Sequence, residues 1–140
     1  MKKIVLFALM AFAMLSCGNN EKEISGGWEL TKMTKAGKEI KVGKGELVLM
    51  EVFSPDGEWV SAGIVGPEGF CAVNTSAGKY EIKGDSIIIT SKYTTFSKQK
   101  VMTPNNIIRR KIKKLNGDKL VFTQDDIEAE MKKTKEYGQK

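Results

Sequence analysis

A cysteine at the end of an uncharged run offers one well-defined reaction. Lys2 and Lys3 precede Ile4–Leu15, an uncharged run rich in Leu, Phe, Ala and Met, and Ser16 and Cys17 follow it. A thiol there can take a diacylglycerol as a stable thioether. The amino group freed by cleavage before Cys17 can then take a further acyl chain. Each buried CH₂ contributes roughly 0.8 kcal/mol, so more than one chain anchors durably. Cys17 is therefore the candidate lipidation residue, and Cys71 is left without a disulfide partner. Between Phe70 and Ala72, the expected role of Cys71 is a small buried apolar side chain.

Other chemistry is sparse. The chain has no His, which removes Ser-His-acid and Cys-His nucleophiles and the commonest zinc ligand. Asp125, Asp126, Glu128 and Glu130 carry oxygen ligands, but their spacing is not that of a calcium loop, and a solvated turn is expected. No glycine-rich phosphate loop is present, and nothing marks a pair of carboxylates for glycoside hydrolysis. Asn74-Thr75-Ser76 has the form of a glycosylation acceptor, a short motif that carries little meaning by itself. The expectation is a protein that is not an enzyme and uses no cofactor or metal.

The first residues have the three parts of an export signal. Ile4–Leu15 would make about 18 Å of helix, short of the ~30 Å hydrocarbon core, so a cleaved segment is expected rather than a permanent span. Met14-Leu15-Ser16-Cys17 resembles the bacterial lipobox, with Met14 where Leu is usual. The alternative is an ordinary signal peptide with a free thiol. The resemblance implies a signal over residues 1–16, an anchor and polar tether over 17–24, and one domain over 25–137. It also implies a place in the cell envelope, on a membrane outside the cytoplasm, with the outer membrane or cell surface favoured. The formal charge of +6 includes Lys2 and Lys3 and is modest.

The elements beyond the tether read as strands. Pro55-Asp56-Gly57, Gly84-Asp85 and Asn116-Gly117-Asp118 are hairpin turns. They separate Leu47–Phe53 from Glu58–Ile64, Lys79–Lys83 from Ser86–Ser91, and Ile107–Leu115 from Lys119–Thr123. Trp28–Lys35 is a further strand. Tyr80 and Ile82 share one face, as do Val60, Ala62 and Ile64, which is the alternation of a sheet with one wet face. Ile87-Ile88-Ile89 implies cover on both sides or a β-branched outer face. Gly66–Gly69 and Lys98–Asn106 around Pro104 are expected loops. Ile127–Lys135 suits a last strand or a helix, with the strand favoured. The expected architecture is all-β, an antiparallel up-and-down barrel of about seven or eight strands, closed or nearly closed, with a β-sandwich as the alternative.

Ile24-Ser25-Gly26-Gly27-Trp28-Glu29-Leu30 resembles the Gly-x-Trp opening strand of lipocalins. Phe53–Gly57, Ala77–Ile82 and Leu120–Thr123 are similar to segments that occur in the same order in small lipocalin-like bacterial lipoproteins. The resemblance covers roughly residues 24–135 and implies a barrel with a central cavity, one end of which Trp28 would plug. In lipocalins an Arg late in the chain packs on that Trp. Here the last strand candidate offers Lys132, Lys133 and Lys135, and the arginines are Arg109 and Arg110.

Two partners follow as expectations: a lipid bilayer through acylated Cys17, and a small apolar or amphipathic ligand in the barrel. Tyr80 and Phe122 are the expected lining residues. Arg110 is placed near the barrel mouth, within a run Arg109–Lys114 otherwise read as a solvated face with anionic lipid or glycan contact as the sharper reading. Other aromatics are expected in the core. The run has no interleaved aromatics to stack bases, so nucleic acid is not an expected partner. The alternative is a packed barrel acting as a protein-interaction or inhibitor module.

Overall fold

Turn chemistry sets the strand boundaries, and each expected hairpin turn is present. A computed structural model describes residues 20–43, 45–65, 72–96 and 99–134. Cys17, Cys71 and the expected loop Gly66–Gly69 lie outside the described residues. Nine strands follow in order: β1 (Gly26–Lys35), β2 (Lys38–Ile40), β3 (Leu47–Phe53), β4 (Glu58–Val65), β5 (Ala72–Lys83), β6 (Ser86–Phe96), β7 (Gln99–Asn116), β8 (Lys119–Gln124) and β9 (Ile127–Lys133). At the β3–β4 turn Gly57 takes φ 86°, a conformation open to glycine at no steric cost. Its N–H donates to the Ser54 carbonyl, and Ser54 Oγ accepts from Glu58 N–H.

All pairings between these strands are antiparallel, and β1 also pairs with β9. That pairing closes an eight-stranded barrel and confirms the expected all-β, up-and-down architecture over the sandwich. β2 is the extra strand. β1 gives residues 26–29 to β3 and residues 33–35 to β2, so the short strand continues the edge that β3 leaves. The ambiguous last segment is a strand, over Ile127–Lys133.

Several expectations are corrected. Strands β5, β6 and β7 run well past the expected limits, and Lys98–Asn106 is not a loop, because residues 99–106 belong to β7. Ser91 faces Asn106 and Tyr93 faces Met102, so residues 103–105 oppose Lys92 alone. Pro104 lacks an N–H, and it sits inside this irregularity, where the ladder is already interrupted. Of the segment read as a tether, residues 20–24 form one helical turn against the barrel. Ile24 is fully buried there, and Asn20 Nδ2 donates to the Gly84 carbonyl at 3.1 Å.

The row Val60, Ala62 and Ile64 shares a face as expected, but that face is outside. Val60 is 48% and Ile64 41% exposed, while Trp59 points inward at 3%. Cross-strand partners share a face, and Val52, Met50 and Val48 oppose these three in register. Together they make an uncharged apolar strip on the outer wall. Ile87 and Ile89 are fully buried and Ile88 is half-buried. The triple Ile is thus ordinary alternation with a β-branched outer residue.

At Gly78 the backbone of β6 leaves no room for a side chain. A Cβ there would lie 2.0 Å from the Thr90 carbonyl oxygen and 2.9 Å from Ser91 Cα. Gly78 adjoins the bulge at which Lys92 is the extra residue of β6. Gly78→Ala is expected to lower stability by about 1–3 kcal/mol, because backbone rather than a side chain must move. Gly63→Ala is the control: its Cβ would meet the flexible Leu49 Cδ1 at 3.4 Å. Urea midpoints should separate the two variants clearly.

Candidate functional site

Alternation divides the barrel interior into two halves. Inward side chains near the chain start, including Trp28, Leu30, Phe53, Ile87, Ile89, Leu120 and Met131, are buried at 3% exposure or less. Toward the opposite end, the inward positions follow from the register. Ser61 pairs with Glu51 and Ser76, Gly63 with Leu49 and Asn74, and Thr94 with Ser76. Apart from Glu51, these residues, with Leu47, Ile108, Gln124 and Ile127, are half-buried. The side chains around Trp28 are thus fully buried, with Tyr80, Ile82, Ile112 and Leu115 half-buried at their margin. Every inward side chain described beyond Glu51 keeps part of its surface exposed and forms the wall of a cup.

The boundary between the halves is a buried ion pair. Arg110 is 7% and Glu51 1% exposed. Arg110 Nη1 and Nη2 donate to Glu51 Oε2 and Oε1 at 2.6 and 2.8 Å. Arg110 Nε donates to Gln124 Oε1 at 3.0 Å, and Trp59 Nε1 donates to Glu51 Oε2 at 3.4 Å. The guanidinium lies 4.4 Å from the centre of the Phe122 ring. A fork-to-fork pair with further hydrogen bonds offsets much of the desolvation of two buried charges. Arg110 is thus not part of a solvated face. It points inward between Ile108 and Ile112, because a strand that wets Arg109 and Lys111 must turn Arg110 to the core.

Above this layer the cup wall is polar in part. Ser76 Oγ and Thr94 Oγ1 are 3.0 Å apart. Asn74 Oδ1 is buried and has no hydrogen-bond partner. A buried acceptor left unpaired is uncommon in a finished interior.

The structure brings Arg110 and Phe122 together and sets Tyr80 apart. Tyr80 lies in the packed half, edge-on to Phe53 with ring centres 5.0 Å apart, and its hydroxyl donates to the Ser54 carbonyl at 2.6 Å. It borders a surface depression of about 250 Å³ with Glu21 and Asp56. Burial pushes the Tyr80 phenol above its usual value of 10.0; a hydrogen bond with the Ser25 side chain opposes this, and the charges of Glu21 and Asp56 reinforce it. The fold therefore favours the neutral phenol. Its contribution is intact below pH 10 and is lost as pH rises through the raised folded-state value. Between pH 9 and 11 the native protein should lose more stability than Tyr80→Phe, because other alkaline titrations cancel in the comparison. Equal losses in urea titrations would sink this assignment.

Trp28 is fully buried at the packed end, and its Nε1 donates to the Ile24 carbonyl at 2.7 Å. Lys133 Nζ lies 5.3 Å from the centre of the Trp28 ring and donates to the Glu23 carbonyl at 3.1 Å. A lysine thus takes the place that the resemblance reserves for a late arginine. Sequence reasoning missed Glu51 altogether. Among the described residues, no group of three His, Cys, Asp or Glu side chains could hold a metal ion.

Comparison with known proteins agrees with this geometry. A lipocalin-like domain profile matches residues 24–122. A lipocalin-like protein from Bacteroides uniformis superposes with a TM-score of 0.59 at 17% identity, covering 80% of this chain and 99% of that one. An uncharacterized protein from Bacteroides eggerthii does so with a TM-score of 0.56 at 15% identity, covering 79% and 99%. Among curated proteins, none matches. With a closed eight-stranded barrel and a profile match over most of the chain, this protein belongs to the lipocalin-like domain family.

Proposed function

We propose that this chain is a membrane-tethered binding protein that holds a small amphipathic ligand in the open half of its barrel. The observation that carries this reading is the contrast between the two halves. Inward Trp28, Leu30, Phe53 and Met131 toward one end are buried at 3% exposure or less, whereas inward Leu47, Leu49, Ser61, Ser76, Thr94 and Gln124 toward the other all keep part of their surface exposed. Apolar walls with a few placed polar groups are the usual make-up of a small-molecule site. Ser61, Ser76 and Thr94 would take the polar part of the ligand. Arg110 and Gln124 form the floor beneath it, and Phe122 lies under Arg110. Binding rather than catalysis is in keeping with the lipocalin-like fold and with a chain that has no His. The tether is acylated Cys17, exposed by cleavage before it, and the compartment is the cell envelope, with the outer membrane or cell surface favoured.

A fluorescent naphthylamine probe tests the cup. The acylated protein in detergent should enhance its emission saturably, at one probe per chain. Ser61→Phe, which fills the cup, should abolish the enhancement. Val60→Asp, on the outer strip, should leave it unchanged. The opposite pattern would sink the cup and support a second reading, a protein-interaction module. The strip of Val48, Met50, Val52, Val60, Ala62 and Ile64 favours that reading, since solvated barrels seldom expose a contiguous uncharged face without use.

A further inference from the structure

Strands β6, β7 and β8 contain lysines and arginines but, among their residues, not one Asp or Glu. Arg109, Lys111 and Lys114 are exposed on β7. Their cross-strand neighbours are Ile88, Ser86, Thr123 and Val121, all uncharged. Acids that border this wall are engaged by other lysines: Glu81 by Lys83, Glu128 by Lys113 and Glu130 by Lys119. Asp85 and Asp118 sit in the hairpin turns at the barrel end rather than on the wall. Ile107, next but one to Arg109, is 48% exposed. Charge of one sign and an apolar side chain thus share a single outer wall.

The position of this wall is set by the chain leading into the barrel. Asn20 is tied to Gly84 in the β5–β6 hairpin, and the next strand begins at Ser86, opposite Lys111. Two residues, Gly18 and Asn19, separate Asn20 from Cys17, so three steps of chain give a reach of at most about 10 Å. An anchor at Cys17 therefore holds this end of the wall within about one Debye length of the headgroups, where fixed charges are still felt.

We infer that the β6–β8 wall lies against the membrane and contacts anionic lipid headgroups through Arg109, Lys111 and Lys114. The inference rests on the anchor proposed above. It turns the barrel side-on and leaves the β3–β4 strip and the cup mouth clear of the bilayer. Each cation near an anionic surface strengthens such contact by roughly fivefold.

Lysine footprinting of the acylated full-length protein, reconstituted into vesicles, tests this. Acetylation of Lys111 and Lys114 should be slowed severalfold in phosphatidylglycerol-containing vesicles relative to phosphatidylcholine alone. Lys38 and Lys41, exposed around β2, should label equally in both. The protection should fade at 0.5 M salt, an ionic strength of about that order being enough to screen it. Arg109→Glu should weaken the protection of both lysines while leaving the thermal midpoint near that of the native protein. Equal labelling in the two vesicle types, with an acylated intact mass, would overturn the wall contact and leave the anchor standing. An intact mass without acyl chains would overturn the anchor and the wall contact together.

Discussion

Replacing Glu51 by Leu while Arg110 remains is expected to destabilise the barrel by about 3–5 kcal/mol. The carboxylate accepts from both terminal nitrogens of Arg110 and from Trp59 Nε1. Removing it strands a guanidinium that is 7% exposed, with Gln124 and the Phe122 face as its remaining partners. The cost therefore comes mainly from the charge left behind and only in small part from the missing hydrogen bonds. That distinction can be measured. Glu51→Leu combined with Arg110→Met should recover most of the loss, because two apolar side chains can fill the layer without unpaired charge. Urea unfolding followed by the fluorescence of buried Trp28 and Trp59 gives the three midpoints. A double variant no more stable than Glu51→Leu alone would refute the argument, since the loss would then not come from the charge left behind. Since whole domains are stable by about 5–15 kcal/mol, the single variant should be read in a stabilising osmolyte as well.

The same pair shows what was legible in the sequence. Leu47, Leu49, Glu51 and Phe53 alternate along β3, and Ile108, Arg110 and Ile112 alternate along β7. One acid and one base, each alone on an apolar face, were the available signal. The run Arg109–Lys114 concealed it, because a cation among solvated cations reads as a residue of the barrel mouth and not as half of a buried pair. Hairpin turns were legible because Gly-containing turns act locally. The faces of β4 were not. Val60, Ala62 and Ile64 are more apolar than Ser61 and Gly63, yet they face outward, since Trp59 and the register with β3 decide which side is core. The upper lengths of β5 to β7 were hidden for a related reason. Their Thr, Ser and Asn residues lack a hydrophobic period, and pairing across the barrel, not local pattern, holds them extended. The cup itself was implied only by the resemblance to lipocalins. Its polar wall and its boundary layer depend on contacts between residues far apart in the chain.

Trp28→Ala is expected to remove about 3–5 kcal/mol, the range for losing a fully buried large aromatic. Several connections end on this ring. Its Nε1 holds the Ile24 carbonyl, Lys133 Nζ lies over its face, and the same Lys133 caps the Glu23 carbonyl. The helical turn over residues 20–24 is too short to be stable by itself, so it depends on these contacts. Trp28→Phe separates packing from tethering. It keeps most of the apolar surface but leaves the Ile24 carbonyl without its donor, for an expected loss of about 1–3 kcal/mol. Amide exchange should rise over residues 20–25 in Trp28→Phe while the strands of the barrel keep their protection. If exchange instead rose uniformly, the turn would be part of the cooperative core and not a separately docked plug. That difference matters for the proposed orientation, because the turn is what ties the chain from Cys17 to Gly84. A Trp28→Phe barrel that stays folded yet releases Asn20 should keep its acyl anchor and lose the footprint on Lys111. Retention of that footprint would mean that the basic wall finds the membrane by its own charge, without help from the turn.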